Sequence, residues 1–343
     1  MAMDYNRKEA KTLRESAIPA AVMASEGTRF DSEDDASVFF ARELDHVKAE
    51  SYDVEYPEFT ALNLFPVSND TDPGAETVTY YTYDKTGLAS VIDNYSTDLP
   101  RADVTGKPSY AQVKSIGDSY GYSAQEMRAS RMAGKSLDAR KAESARYQID
   151  NLTNKIAWRG DEASGLMGVL STGQNVPLYT ITNGASNKAD WANKTADEIL
   201  ADINGMQKQV ARVTKNVERP DTLCVPSDVY MDISTRRIPD TATTVKAFLL
   251  ANAPYLKDII SAAELDADAV DTNPYAKATD GKGVAFLFKN DKRKMALENP
   301  MPFMQYPLQV KGLETIIPCE ARTAGVIFYY PLSALIAVGV SVS

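Results

Sequence analysis

A stretch of 37 residues without proline, from Ser123 to Arg159, constrains the fold of this chain more than any other feature. It opens with Ser123 and Glu126 in the spacing of a capping box, and Gly160 follows its last residue. A continuous helix of this length would reach about 55 Å, unless Gly134 kinks or splits it. Small and apolar residues recur at steps of three and four, which predicts one narrow core-facing stripe. The stripe consists of Ala142, Ala145, Ile149, Leu152 and Ile156.

The same stretch is basic, although the chain as a whole is acidic. It holds eight basic and four acidic side chains, whereas the 343 residues together carry a net charge of −10. Such an acidic balance argues against sequence-specific recognition of nucleic acid, which is typical of basic domains. The local excess of positive charge indicates either a solvated helix face or a cationic surface turned toward an anionic partner.

Composition predicts a globular chain of roughly two domains, because 44% of its residues are apolar. The first residues lack the apolar segment of a secretory signal. The uncharged segment Thr323–Ser343 is long enough to span a membrane, but Pro331 and Gly339 interrupt it. Its short β-branched runs predict two buried strands instead. Cys224 and Cys319 are expected to be buried thiols in a reducing cytoplasm.

A polar excursion precedes the long helical stretch. Strand-like runs near Glu76–Asp84 and Tyr110–Ile116 flank about 25 residues rich in Gly, Asp, Ser and Pro. Strand, excursion and strand in this order predict an extended hairpin. A segment with so little apolar content cannot bury itself, so it needs another surface to lie on. The tyrosines of its first strand are predicted to contact that surface, with ordinary cross-strand packing as the alternative.

The remaining sequence alternates helical and strand-like segments. Ser32 and Thr195 each begin a predicted capped helix, the first with Asp35 as its capping partner and the second running to about Asn216. The run TLCVPSDVY predicts a strand leading into a turn. A turn at Asp280-Gly281 precedes the predicted strand GVAFLFKND, and the last 50 residues are mainly strands.

The motifs that would carry chemistry are absent or incomplete. The segment Gly117–Gly121 matches the G-x-S-x-G elbow of serine hydrolases, but the only histidine, His46, precedes Ser119 instead of following it. We interpret this segment as a glycine-rich bend, and a hydrolase using Ser119 is the alternative from another class. No phosphate-binding loop or dinucleotide fingerprint occurs. The sequence therefore predicts neither catalytic residues nor a cofactor.

An acidic cluster hints at calcium but lacks the full pattern of a calcium-binding loop. Its aspartates are Asp266, Asp268 and Asp271. An EF-hand loop would need a ligand at Val270 and a glycine directly after it, and neither is present. We therefore predict no metal site.

Several short motifs follow one another in a consistent order along the chain. They are TDLP from Thr97 with Asp103-Val104, AWRGDE from Ala157 with GLMGVL from Gly165, TLCVPS from Thr222, NPMPF from Asn299, PCEART from Pro318, and the pair Tyr330-Pro331. In this order they resemble the major capsid proteins of tailed double-stranded DNA bacteriophages, whose Hong Kong 97-like fold is shared with encapsulin compartments. The motifs correspond to the tip of the E-loop, the end of the spine helix with its following loop, the entry to the A-domain and the closing strands. The resemblance covers the chain from about residue 35 onward.

The resemblance implies an α+β, Hong Kong 97-like capsid fold with an N-terminal arm, an extended E-loop hairpin, a P-domain with a long spine helix, and an A-domain. The implied boundaries are 1–34 for the arm, 35–74 for an N-terminal helix and the P-domain entry, 75–117 for the E-loop, 118–195 for the P-domain, 196–285 for the A-domain, and 286–343 for the closing strands.

The implied function is structural and not enzymatic. A major capsid protein assembles with copies of itself into pentamers and hexamers of an icosahedral shell around the double-stranded DNA genome. The implied location is the virion capsid, assembled in the cytoplasm of a bacterial host. Possible further partners are a separate scaffolding protein, portal and decoration proteins, and non-specifically packaged double-stranded DNA, with no membrane. The alternative is the shell of an encapsulin-like compartment.

The resemblance also suggests which residues meet other molecules. Lys85 and Lys107 lie where some relatives crosslink a lysine to an asparagine, but no motif supports a crosslink here. Candidate inter-subunit contacts are Tyr80, Tyr81, Tyr83, Lys85, Asp98, Leu99, Pro100 and Lys107. Basic candidates for the surface facing the shell interior are Arg128, Arg131, Arg140 and Arg146.

Overall fold

The computed structural model describes residues 56–91, 99–134, 138–276 and 283–340. The chain divides into two units, Met1–Tyr56 and Pro57–Ser343, and all the helices and strands below belong to the second. The predicted arm, the helix from Ser32, His46, Asp98 and the Asp280-Gly281 turn lie outside the described residues. Within them, helices and sheets are interspersed along the chain, so the predicted α+β class is confirmed.

The proline-free stretch forms two helices. A short helix α1 (Ala61–Leu64) comes earlier, followed by α2 (Ala124–Ala133) and α3 (Asp138–Arg159). The predicted capping box of Ser123 and Glu126 starts α2, and Gly134 ends it in the left-handed conformation, with φ +62°. The prediction that Gly134 splits the stretch is confirmed. The alternative of one 55 Å helix is wrong, because α3 has 22 residues and reaches about 33 Å.

The predicted core-facing stripe of α3 is correct except at one position. Ala145, Ile149 and Ile156 are buried and Ala142 is partly buried, but Leu152 is 44% exposed. The buried surface turns instead toward Thr153 and Asn154, whose polar groups are satisfied inside the protein. Thr153 donates to the carbonyl of Ile149 at 2.9 Å, and the Asn154 side-chain amide donates to Glu264 at 2.8 Å. A pattern of apolar residues cannot show a helix face that buries hydrogen-bonded polar groups.

Sixteen strands form four sheets in the described part of the chain. They are β1 (Val67–Ser68), β2 (Thr77–Thr86), β3 (Asp103–Gln112), β4 (Lys114–Ser123), β5 (Gly160–Asp161), β6 (Leu166–Met167), β7 (Leu178–Thr180), β8 (Thr222–Val225), β9 (Asp258–Ser261), β10 (Gly283–Phe288), β11 (Met295–Glu298), β12 (Met301–Gln305), β13 (Gln309–Lys311), β14 (Glu314–Thr323), β15 (Gly325–Phe328) and β16 (Ala334–Val340). The sheet orders are β1-β11-β15-β6-β5, β7-β16-β10-β8-β9, a sheet in which β14 pairs with β4, β12 and β13, and the hairpin β2-β3.

The sheet centred on β10 separates two hydrophobic cores. On β10, Ala285 and Leu287 face one core, while Val284, Phe286 and Phe288 face the other. The first core also receives three helices. They are α4 (Ala196–Val213), α5 (Ser227–Thr235) and α6 (Val245–Asn252). The prediction of a turn after the Thr222 strand is wrong, because the chain enters α5 directly after Pro226.

The capping box of Thr195 and Glu198 is confirmed at the start of α4, which ends at Val213, three residues before the predicted end. The second core receives the C-terminal end of α3, with Trp158 fully buried and its ring 4.9 Å from that of Phe65. The end of the long helix is therefore fixed in the interior of the subunit.

A third core lies between α3 and the sheet of β4 and β14. The segment Gly117–Gly121 lies within β4, which pairs with β14 over ten residues, so its interpretation as a bend is wrong. The long ladder, with Tyr120 and Tyr122 buried, outweighs the low strand preference of its glycines. Ser119 therefore lies in the middle of a strand, opposite Pro318, and not at a strand-to-helix elbow.

The uncharged C-terminal segment forms two buried strands, β15 and β16, as predicted. None of the helices in the described ranges has the length and apolar character needed to cross a membrane. Cys224 and Cys319, both in the described part of the chain, are free and buried, as predicted.

Candidate functional site

The hairpin of β2 and β3 is largely exposed to solvent. Its two strands pair over ten residues, from Thr77 opposite Gln112 to Thr86 opposite Asp103, and reach about 33 Å. The predicted second strand was placed too late, because β3 begins at Asp103. Its glycine and proline weaken the local strand signal, and pairing with β2 compensates for that weakness.

The register gives the hairpin two distinct faces, because residues directly opposite each other in a ladder point to the same side. The outer face is formed by Thr79, Tyr81, Tyr83 and Lys85 with Val104, Gly106, Pro108 and Tyr110. The inner face is formed by Val78, Tyr80, Thr82 and Asp84 with Thr105, Lys107, Ser109 and Ala111.

The outer face is aromatic and open to solvent. The exposed fractions of Tyr81, Tyr83 and Tyr110 are 61%, 71% and 71%. The rings of Tyr81 and Tyr83 stack with centroids 6.4 Å apart. The Tyr83 ring lies across Gly106, where a Cβ atom would come within 3.0 Å of the ring. Lys85 is the single charged residue of this face, and a contiguous exposed aromatic surface of this kind is typical of an interface.

The inner face contacts the rest of the described subunit, which we call the body, and it also carries the charged residues near the tip. The Tyr80 ring lies perpendicular to that of Tyr329, with centroids 5.1 Å apart. Lys107 and Asp84 are exposed on the same face, farther from the body. The predicted contact residues are therefore divided between faces, with Tyr81, Tyr83 and Lys85 outside and Tyr80 and Lys107 inside. The exposed Leu99 and Pro100 lie in the loop that joins the strands.

The four basic candidates are exposed on α2 and α3. Arg128 and Arg131 lie on α2, none of whose residues, all of them described, is buried. Arg140 and Arg146 lie on α3, where Arg146 is 3.6 Å from the carboxylate of Asp150. Neighbouring Lys141 turns toward the body and donates to the Gly121 carbonyl at 2.8 Å.

The segment after α3 that contains Gly165, Gly168 and Gly173, called the glycine loop here, closes the end of this helix. The last carbonyls of a helix have no partner within it. Here the amides of Val169 and Leu170 donate to the carbonyls of Ala157 and Trp158, each at 2.8 Å. Gly168 permits this close approach, because a Cβ atom there would lie 2.6 Å from the Ile156 carbonyl oxygen. The motif that follows the helix is therefore a structural cap.

The acidic cluster does not converge on one point. Asp266 accepts a hydrogen bond from the Ser227 amide at 2.8 Å, while Asp271 pairs with Lys155 at 3.4 Å. Across the described ranges, no group of three His, Cys, Asp or Glu side chains is arranged to hold a metal ion.

Asp266 makes subunit stability depend on pH. Burial, together with the nearby carboxylates of Asp228, Asp268 and Glu264, raises its pKa to about 6. The folded state thus holds this proton more tightly than the unfolded state, so the contribution of Asp266 to stability is present in full below about pH 4 and is lost as the pH rises through about 6. Asp266→Asn keeps the oxygen that accepts from Ser227. It should stabilise the unassembled chain at pH 7 by about 1 kcal/mol after solvent screening.

Thermal unfolding of wild type and Asp266→Asn at pH 4 and pH 7 measures this effect. The variant should melt about 2 °C higher at pH 7 and at nearly the same temperature as wild type at pH 4. Asp268→Asn, at an exposed neighbouring position, is the matched control. An equal difference at both pH values would show that the ionisation of Asp266 is not the cause.

The arrangement of these elements defines a class of fold, the Hong Kong 97-like capsid fold. Three solved structures illustrate the likeness. The capsid of Myoviridae phage XM1 matches with a TM-score of 0.73 and 16% identity, covering 89% of this chain and 99% of that chain. The capsid of a native GTA particle matches with a TM-score of 0.61 and 10% identity, covering 90% and 99%. A virus-like particle from Pyrococcus furiosus matches with a TM-score of 0.51 and 12% identity, covering 80% and 91%.

The sequence places the chain within one family of this class. The family model described as major capsid protein matches residues 87–340, about three quarters of the chain. The chain therefore belongs to the major capsid protein family, whose members are structural proteins of capsids. No curated protein matches the sequence.

Proposed function

We propose that this chain assembles with copies of itself into pentamers and hexamers, and that these close into an icosahedral shell around a double-stranded DNA phage genome. Assembly takes place in the cytoplasm of a bacterial host, and the product is the virion capsid. The chain acts as a building block and catalyses no reaction. The observation that carries the proposal is the aromatic outer face of the hairpin in a chain that belongs to the capsid family.

In this proposal the hairpin supplies a contact that each subunit repeats. A tyrosine side chain that passes from water into an interface contributes about 1–3 kcal/mol before the cost of ordering. Tyr81, Tyr83 and Tyr110 lie on one face, so a single neighbouring surface can cover all three. Each contact can be modest, since a subunit held by several neighbours dissociates only when all the contacts open together.

The basic residues of α2 and α3 have a separate role in the proposal. Arg128, Arg131, Arg140 and Arg146 face the shell interior, where cations offset the phosphate charge of packaged DNA without reading its sequence. Their exposure supports this role. Photocrosslinking from the positions of these four arginines in purified particles should label nucleic acid.

A scaffolding protein, a portal and decoration proteins complete the set of proposed partners.

Electron microscopy of the expressed full-length chain, with analysis of its contents, tests the proposal. We expect the expressed chain to form closed particles with pentameric and hexameric clusters. Particles purified from phage should contain double-stranded DNA. Particles loaded with a protein cargo and free of DNA would instead favour the encapsulin-like compartment, which the match to the Pyrococcus furiosus particle keeps as the second candidate. A chain that stays monomeric at high concentration would contradict both functions.

A further inference from the structure

The hairpin is long, and the contacts to the rest of the subunit that matter for its direction lie on the half nearer its base. A rotation of about 10° at the base would move the tip of a 33 Å hairpin by about 6 Å. Interface contacts are lost within a much smaller distance. An isolated two-stranded hairpin is also only marginally stable in water. The body must therefore fix the direction in which the hairpin leaves it.

Arg322 makes the first contact that fixes this direction. It lies near the end of β14, and its guanidinium group donates to the carbonyls of Pro73 and Ala75, the second at 3.0 Å. Both carbonyls belong to the segment that leads into β2. A planar guanidinium that bridges two carbonyls restrains their orientation as well as their distance. On the returning strand, the Val113 amide donates to the Glu76 carbonyl at 2.8 Å and closes the base.

Tyr329 makes the second contact, on the inner face of the hairpin. Its ring packs edge-on against Tyr80, 5.1 Å between centroids, and its hydroxyl donates to Glu298 at 2.9 Å. Glu298 is buried in β11 and also accepts from the Thr71 hydroxyl at 3.2 Å. Burial and the Glu298 hydrogen bond raise the pKa of Tyr329, so its hydroxyl stays a donor. The ring that meets the hairpin is thus held by the interior of the body.

We infer that Arg322 and Tyr329 are positioning residues for assembly. Arg322 holds the chain entering the hairpin, and Tyr329 holds its inner face through Tyr80. Two separate contacts keep the hairpin from rotating about either one alone, so the outer face is presented at one fixed angle to a neighbour. This inference rests on the proposed function for its consequence in assembly, but the fixed angle is a property of the single subunit.

Spin-label distances test the fixed angle separately from assembly. Lys107→Cys on the hairpin and Lys208→Cys on α4 provide two exposed sites. Burial raises the pKa of both native thiols, Cys224 and Cys319, which keeps them unreactive toward the label. Doubly labelled full-length chains, diluted with unlabelled chains, should give one narrow distance distribution. Arg322→Ala should widen it at least twofold, while Arg293→Ala, which removes an exposed arginine, should leave it unchanged.

Tyr80→Ala is the second variant, since Tyr80 is only half-buried and its loss leaves the cores intact. It should widen the distance distribution between the two labels as Arg322→Ala does. Both variants should lower the yield of regular particles at least tenfold. The melting temperatures of both variants should stay close to that of wild type. A narrow distribution in both variants would overturn the inference. Wide distributions with normal particles would overturn the link to assembly. If wild type forms no particles, the proposed function fails, while the distances still decide whether the angle is fixed.

Discussion

A chain in which Asn-Gly replaces residues Asp84–Thr105 should fold like the full-length subunit and form no closed particles. The replacement joins Tyr83 to Gly106, which face each other in the ladder, through a two-residue hairpin turn. The described residues of the deleted segment, 84–91 and 99–105, are exposed, and none of them belongs to a core. Assembly should fail because the candidate contacts near the tip, which include Lys85, Leu99 and Pro100, are missing. Circular dichroism and thermal unfolding report the fold, and sedimentation with electron microscopy reports the particles.

A pair of substitution variants separates the outer face from the hairpin as a whole. Tyr81→Ser, Tyr83→Ser and Tyr110→Ser together should lower the particle yield at least a hundredfold, since three contacts of about 1 kcal/mol or more are lost per subunit. The matched control changes three exposed inner-face residues of the ladder, as Asp84→Ser, Asp103→Ser and Thr105→Ser. Equal losses from the two triple variants would refute the role of the outer face, whereas normal shells from the truncated chain would refute the role of the hairpin tip.

Gly168→Ala should lower the free energy of unfolding by about 4 kcal/mol. The new methyl group would lie 2.6 Å from the Ile156 carbonyl oxygen and 2.7 Å from the Arg159 carbonyl carbon. Both atoms are backbone, so relief requires the loop to separate from the helix. That movement breaks the hydrogen bonds donated by the Val169 and Leu170 amides, at about 1 kcal/mol each, and adds an overpacking cost of about 2 kcal/mol.

Urea unfolding of the unassembled chain, followed by the fluorescence of the buried tryptophans, measures this loss. Gly173→Ala is the matched control in the same loop, because a methyl group there meets only the flexible end of the Met167 side chain. The control should lose less than about 1 kcal/mol. Equal stability of Gly168→Ala and wild type would contradict the capping role of the glycine loop.

Much of the local structure could be predicted from short-range sequence signals. The capping boxes at Ser123 and Thr195 start helices, and Gly134 ends one, because these effects depend on neighbouring residues alone. The uncharged C-terminal segment forms strands because its short runs are rich in β-branched residues, which favour strands. The resemblance to capsid proteins, based on motif order, is confirmed by the family match.

Features that depend on distant partners could not be predicted. Leu152 is exposed because Glu264, 110 residues away from Asn154, satisfies a buried polar face of the helix. A buried ion pair between Lys194 and Asp202, 2.5 Å apart, was missed for the same reason, since charged residues predict exposure unless their partner is known.

At the candidate site, the sequence showed an aromatic hairpin but not its faces. In the sequence alone, the tyrosines at positions 80, 81 and 83 look equivalent. The register assigns Tyr81 and Tyr83 to the outer face and Tyr80 to the contact with Tyr329. Register is fixed by pairing with β3, whose start at Asp103 had no clear local signal. The anchoring role of Arg322 likewise depends on a contact to residues about 250 positions earlier in the chain.

In the proposed shell, the outer face of each hairpin is completed by another copy of the chain. A cryo-electron microscopy map of the assembled particle, at a resolution that shows side chains, tests this most directly. We expect Tyr81, Tyr83 and Tyr110 of every subunit to be buried against a neighbouring subunit. A particle in which all three rings face solvent, or fold back onto their own subunit, would contradict it.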